Sequence, residues 1–446
     1  MNQELWRNIL AFEFENPTED YGFSTRLAKE NFWTKAFTEQ AILEYKKFMY
    51  LAATSNLMVS PSESVDIVWH QHLVFTQSYQ DFCNTIGKKI HHIPSTHNKE
   101  DFEKFKQAKE RTSTLYETDF GAQPKNIWGY NNIFESLNLE KADTKITSFI
   151  ISGILVFIGL SVPIYFLLKP IYLDIDNLHF IVGYIILTII TLLALAVYSQ
   201  TCFDNIVSQF DKSSFIFKLK PFELVYAKTQ KLSEVLQGAV NELIESGVIQ
   251  INADKNIELV ESKVTLSKEQ SQIVSVLNET GEISYFYLLS ILIAKPVFSN
   301  TANCLEAFRK YFNKSKKFDS LYRKNFYVLM ILLLLGSTRI ATGILRDKPV
   351  AIILLATFAV SIFTIQYLQS LTKQISTYAL PELYEKKILP TKQIEGNWQW
   401  SYFLLGSAVL TSSLTELMKS EIKKKSDYSS SCGSSCSSSC GGCGGD

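Results

Sequence analysis

Histidine is scarce in this chain, six in 446 residues, and methionine is scarcer at five. Net charge is absent: 44 basic residues balance 44 acidic ones, so whole-molecule steering toward nucleic acid or acidic substrates is not indicated. No HExxH, P-loop, GxGxxG or GxSxG pattern occurs, which leaves zincin, nucleotide-phosphate, dinucleotide and serine-hydrolase chemistry without a sequence basis. The opening run MNQELWRNILAFEFENP carries acids and lacks an apolar core and a small-residue cleavage site. It therefore predicts that nothing exports the first 140 residues.

Long apolar runs, by contrast, are present. TSFIISGILVFIGLSVPIYFLL (147–168), HFIVGYIILTIITLLALAVY (179–198), FYVLMILLLLGSTRIATGIL (326–345) and PVAIILLATFAVSIFTIQYL (349–368) each supply about 20 residues, enough as helices for roughly 30 Å of hydrocarbon. Basic residues fix the expected orientation: Arg309, Lys310, Lys314, Lys316, Lys317, Arg323 and Lys324 precede the third run, while the connectors 169–178 and 346–348 hold few. The basic side is predicted to be cytoplasmic. Two helical hairpins in the cytoplasmic (inner) membrane then leave the N-terminus, the middle loop and the segment after the fourth span inside the cell.

Five of the six histidines crowd one stretch, His70 and His72 in VDIVWHQHL and His91, His92 and His97 in KKIHHIPSTH. Ser60, Pro61 and Glu63 read as a capping box with proline at the first helical position, so a helix should run through VDIVWHQHL. On that helix Glu63, Asp66 and His70 share one face, and Val65, Trp69 and His72 share a neighbouring, core-like stripe. Two earlier and later helices are expected at FTEQAILEYKKFMYLAATS and at DFEKFKQAKERTSTLYETDF, the second bounded by Gly121 and Pro124. Asp66 and His70, joined by His91 or His92 from the loop that Pro94 stiffens, make a donor set suited to zinc or another divalent transition metal, with Cys83 an alternative fourth group. An open position would allow water activation. Two readings compete with it: a structural one, in which buried His, Trp and Asp hold the HHIP loop to the helix by hydrogen bonds, and a metal-free ligand or catalytic site.

In the middle loop, TQKLSEVLQGAVNELIESG is an amphipathic helix stopped by Gly247, and VIQINADKNIELV reads as two short strands about a polar turn. With helices expected at 266–278 and 282–294, the pattern suggests a winged-helix-like α+β module. Its acids, Glu234, Glu242, Glu245, Asp254, Glu258 and Glu261, outweigh Lys231, Lys255 and Lys263 and would repel phosphates. Beyond the spans, WQWSYFLLGSAVLTSSL is apolar but short, a candidate for an interfacial segment, for packing on the loop domain, or for a fifth crossing. Arg339 lies within the third span, placed to snorkel to the interface or to serve an intramembrane site. The ending SSSCGSSCSSSCGGCGGD should be disordered, and Cys432, Cys436, Cys440 and Cys443 are expected as reduced, accessible thiols rather than a fourfold thiolate site.

The motifs EYKKFMYLA (44–52), VDIVWHQHL (65–73), Tyr79 with Phe82 and Cys83, IHHIP (90–94) and FGAQPKNIW (120–128) resemble the glycine-rich domain-containing protein family. That resemblance implies a mostly helical domain with no settled biochemical role. LKPFELVYAK, LIESGVI, LGSTRIATGILRDKPV and the CGGCGG ending resemble a family of bacterial multi-pass membrane proteins with a Cys/Gly-rich tail. This tail departs by using serine where glycine repeats are usual.

The expected fold is mainly α and membrane-embedded. It divides into a helical cytosolic domain (1–140), a first transmembrane hairpin (147–198), a cytosolic winged-helix-like loop domain (199–325), a second hairpin (326–368), a cytosolic or interfacial segment (369–425) and a disordered tail (426–446). The expected function is a multi-pass scaffold or sensor with a cytosolic metal-binding domain, in contact with the lipid bilayer and with protein partners but not nucleic acid. The alternative is a membrane-tethered metal-dependent enzyme using Asp66, His70 and His91 or His92.

Overall fold

Apolar residues recurring at helical spacing in the first 140 positions fold into α1 (Gln3–Ala11), α2 (Phe23–Asn31), α3 (Lys35–Thr54), α4 (Glu63–Val74), α5 (Thr76–Ile86), α6 (Lys99–Phe120) and the single turn α7 (Lys125–Trp128). The structure, a computed structural model, describes residues 1–93, 99–260, 265–391 and 397–429. It is mainly helical, with four helices long and apolar enough to cross a membrane and one small three-stranded sheet. His97, Cys432, Cys436, Cys440 and Cys443 lie outside the described residues.

The long apolar helices are α8 (Ile146–Asp174), α9 (Asn177–Ser208), α15 (Lys316–Ile344) and α16 (Ala351–Leu371). They exceed the expected spans at several ends, α8 continuing through Pro163 and Pro170. Helix α15 packs against α8, α9 and α16, closely so for the last two: a Cβ on Gly336 would lie 2.6 Å from Thr357 Oγ1 of α16 and 2.7 Å from Tyr184 Oη of α9. Both hairpin turns fall at one end of the four helices, where Tyr172 Oη of α8 donates to the Leu335 carbonyl of α15 at 3.0 Å. At the other end Asn325 Oδ1 accepts from Ser199 (3.2 Å) and Tyr367 (3.0 Å), tying α15 to α9 and α16. The outward faces stay apolar and exposed, as at Leu155, Phe166, Leu193 and Leu355.

Between the hairpins lie α10 (Pro221–Thr229), α11 (Leu232–Glu245), β1 (Ile249–Ile251), β2 (Asn256–Leu259), α12 (Lys268–Thr280), β3 (Ile283–Ser284), α13 (Tyr285–Ala294) and α14 (Pro296–Asn313). Gly247, at φ +69°, ends α11 in the left-handed region that favours glycine and sends the chain into β1. The strands pair antiparallel in the order β1-β2-β3. The last strand was not expected; Ile283 pairs with Ile257 and goes into the core, so the helix placed at 282–294 begins only at Tyr285.

One continuous core joins the N-terminal helices, α9, α10 and α14 to the base of α15 and α16. Polar contacts cross the same junction. The Lys35 amide donates to Glu223 Oε1 at 2.9 Å, Lys35 Nζ meets Glu269 at 2.6 Å, and Lys268 meets Glu15 at 2.8 Å. Burial pushes the Glu223 carboxyl up, while the Lys220 and Lys35 amides that it accepts from pull the other way.

After α16 the chain forms π-helical turns flanking α17 (Leu380–Leu383), then α18 (Trp398–Leu405) and α19 (Ser412–Ser429). Of the three alternatives for WQWSYFLL, packing on the loop domain is the one observed: α18 has eight residues, Tyr402 Oη donates to the Glu234 carbonyl at 2.8 Å and Gln399 to Glu242 at 2.8 Å. Gly238 makes room for it, since a Cβ there would lie 2.8 Å from the Tyr402 ring. Helix α19 runs to Ser429, so the expected disorder from 426 does not begin there; residues 430–446 lie outside the described part.

Candidate metal centre

Helix α4 starts one serine later than its sequence suggests. Ser62, not Ser60, is the N-cap, accepting from the Val65 amide at 3.3 Å, because the Ser60 amide is held by Thr112 Oγ1 of α6 at 2.8 Å. Pro61 therefore precedes the cap. The two stripes survive this shift: Val65, Trp69 and His72 are buried, while Glu63, Asp66 and His70 face outward.

The loop after α5 is brought back onto α4 by three anchors. Gly87, at φ +71°, closes α5. The Lys88 ammonium then donates to the Ala52, Ala53 and Ser55 carbonyls (2.9, 3.4 and 3.0 Å) at the C-terminal end of α3, where unpaired carbonyls and the helix dipole favour a cation. Trp69 Nε1 donates to Tyr79 Oη at 3.2 Å, and Tyr79 Oη donates to the Ile90 carbonyl at 2.5 Å. Two residues on, His92 reaches α4.

There His92 Nε2 lies 2.9 Å from Asp66 Oδ1 and His70 Nδ1 lies 3.3 Å from Asp66 Oδ2. The His70 and His92 ring centroids are 4.3 Å apart, with Trp69 edge-on to His92 at 4.6 Å. One ligand atom from each of Asp66, His70 and His92 falls within 4.8 Å of the others, the group of this kind found among the described residues. In a tetrahedral site with bonds of about 2.0–2.1 Å, ligand atoms stand roughly 3.3 Å apart, so the two Asp66 contacts are near that spacing already. A carboxylate and two imidazoles fit zinc and leave a fourth position. His92 is largely shielded, Asp66 partly so, and His70 is 57% exposed.

The other residues proposed from sequence stand elsewhere. His91 is exposed and outside the triad, so of the two adjacent histidines the structure brings His92 to Asp66. Cys83 is also outside it: with Phe82 and Ile86 it forms the buried face of α5 and cannot serve as a fourth ligand without unpacking that face. His72 is a core residue, 0% exposed, its Nδ1 2.9 Å from Tyr45 Oη and its Nε2 3.2 Å from Ser78 Oγ, ringed by Phe12, Phe14, Phe23 and Phe82. Burial pushes its pKa down to about 4, which fits a neutral ring accepting at one nitrogen and donating at the other.

Arg339 reaches the turn of the first hairpin, between α8 and α9. It is 7% exposed and donates to the Tyr172 carbonyl (2.5 Å), the Ile175 carbonyl (2.8 Å) and Asn177 Oδ1 (2.7 Å), with Phe180 5.0 Å beneath it. The final carbonyls of α8 have no helical partner, and a guanidinium with five donors satisfies them inside the protein. The anchors Lys88 and Tyr79 were not foreseen as such; the aromatic Tyr79 four residues before Cys83 was visible, but nothing in its spacing named Trp69 and Ile90 as partners.

A family model described as UCP032817-like, an uncharacterised family, matches residues 20–116, the stretch that carries all three residues of the triad. No curated protein and no solved structure matches the chain.

Proposed function

We propose that the chain is a multi-pass protein of the cytoplasmic membrane whose N-terminal domain, on the cytoplasmic side, binds one zinc-like divalent ion through Asp66, His70 and His92 and acts as a sensor. The single observation carrying this reading is the convergence of those three ligand atoms within 4.8 Å. Four long apolar helices with exposed apolar faces support the membrane assignment, and the basic residues before the third support the orientation. The core shared by the metal-bearing domain and the base of the helices gives occupancy a mechanical path to the membrane part, which favours a sensor over a passive scaffold. The three-stranded sheet with α11 to α13 serves as a winged-helix-like protein-contact module, its acidic balance disfavouring nucleic acid.

A second reading, a membrane-tethered metal-dependent enzyme, is favoured by one feature: three protein ligands leave a position for water, as catalytic zinc sites do. Metal analysis of the purified full-length chain tests both. We expect about one zinc per chain in the wild type, retained in His91→Ala and Cys83→Ser and lost in Asp66→Asn and His92→Ala. A wild-type chain that takes up no zinc, or loss in the His91 and Cys83 variants, overturns the site.

A further inference from the structure

A cleft of about 500 Å³ opens beside the triad, in the size range of small-molecule sites, roughly 300–1,000 Å³. Asp66, His92 and Trp69 are among its walls, whereas His70 is not. The rest of the lining is mixed, its apolar part including Leu57, Val59, Ile93 and Phe105 and its polar part Ser55, Asn56, Glu63, Lys89 and His91. Leu57 at 63% and Ile93 at 53% exposure stand open at its edge. An apolar surface left open next to a polar centre is what an amphipathic ligand needs.

Charge selects the polar end. A divalent ion held by a single carboxylate keeps one net positive charge, and Lys89 in the wall adds another, while the ammonium of Lys88, also in the wall, is taken up by the Ala52, Ala53 and Ser55 carbonyls at the negative end of α3. Glu63, one turn from Asp66 on the same helix face and also in the wall, opposes a second negative charge. A cationic headgroup would face the ion, and a doubly charged phosphate would face Glu63. A carboxylate carries one charge and an oxygen suited to the free position on zinc.

We infer that this cleft binds a short aliphatic monocarboxylate, its carboxylate on the open metal position and its tail against Leu57, Val59, Ile93 and Phe105. The inference rests on the metal reading above and deepens it by naming what the sensor detects.

The test uses the full-length chain in lipid nanodiscs with cobalt(II) in place of zinc, read by the visible d–d bands of the ion, with empty nanodiscs as the blank. Acetate, butanoate and hexanoate should each perturb the bands. Apparent affinity should rise about fourfold per added methylene, the equivalent of roughly 0.8 kcal/mol. Hexylamine should leave the spectrum unchanged. Ile93→Asn should flatten the chain-length series while cobalt uptake and the acetate response stay as in the wild type, and normal uptake certifies that the variant is folded. Bands that form but do not respond to hexanoate, a flat series in the wild type, or an equal response to hexylamine would overturn the carboxylate site while leaving the metal site standing. No cobalt bands at all would remove both.

Discussion

Replacing His72 by Phe should make the helix that carries it less sensitive to acid. Fully buried between Tyr45 and Ser78, the imidazole has its pKa pushed by burial to about 4, against about 6.5 in an unfolded chain. The unfolded state therefore binds a proton that the folded state refuses. Stability from this group is complete above pH 6.5 and is lost as pH falls toward 4. With those two values the loss is about 2 kcal/mol by pH 5 and about 3 kcal/mol by pH 4. The phenyl ring fits among Phe12, Phe14, Phe23 and Phe82 but leaves the Tyr45 hydroxyl without its partner, a cost of roughly 1–3 kcal/mol at neutral pH. Hydrogen exchange of the Val65–His72 amides, corrected for the intrinsic rate and run with chelator present, reads the effect. Protection in the wild type should fall about 30-fold more between pH 7.5 and 5 than in the variant, the counterpart of about 2 kcal/mol. All other groups of the helix and of the facing loop are common to the two proteins and cancel in the comparison. Parallel pH profiles in the two proteins would show that His72 is charged in the fold and that the core assignment is wrong.

Two further outcomes follow from the membrane part. Arg339→Leu strands the Tyr172 and Ile175 carbonyls and should destabilise the hairpin pair by about 3 kcal/mol, seen as a lowered thermal transition in nanodiscs, with Arg339→Lys recovering part of the loss; an unchanged transition would mean that water reaches those carbonyls. In intact cells, cysteines introduced at Lys109 and Lys255 should resist a membrane-impermeant maleimide while one at Lys348 is labelled; the reverse pattern inverts the topology.

What could be read in the sequence was what repeats. Four apolar runs of about 20 residues announce long helices because every position in them meets the same demand, and α4 divides into an inward stripe of Val65, Trp69 and His72 and an outward one of Glu63, Asp66 and His70 because helical geometry leaves little choice. What could not be read was settled by partners distant in sequence. Ser60 reads as the cap until Thr112, 52 residues away, takes its amide and the cap falls on Ser62 beyond the proline. Arg339 looks like a charge in need of water until α8 presents its last carbonyls, 164 and 167 residues away. Adjacent histidines at 91 and 92 carry no period to separate them, and outside a helix consecutive side chains diverge. The choice falls to the bond from Tyr79 to the Ile90 carbonyl, which fixes where the loop lies and so which imidazole meets Asp66. A Tyr79→Phe variant keeps every proposed ligand and the ring that packs beside His72, yet removes the loop anchor nearest His92, so zinc affinity should fall by about 10- to 100-fold, as when partners that orient ligands are removed. Wild-type affinity in Tyr79→Phe would show that the ion itself, rather than the tyrosine, gathers the loop to the helix.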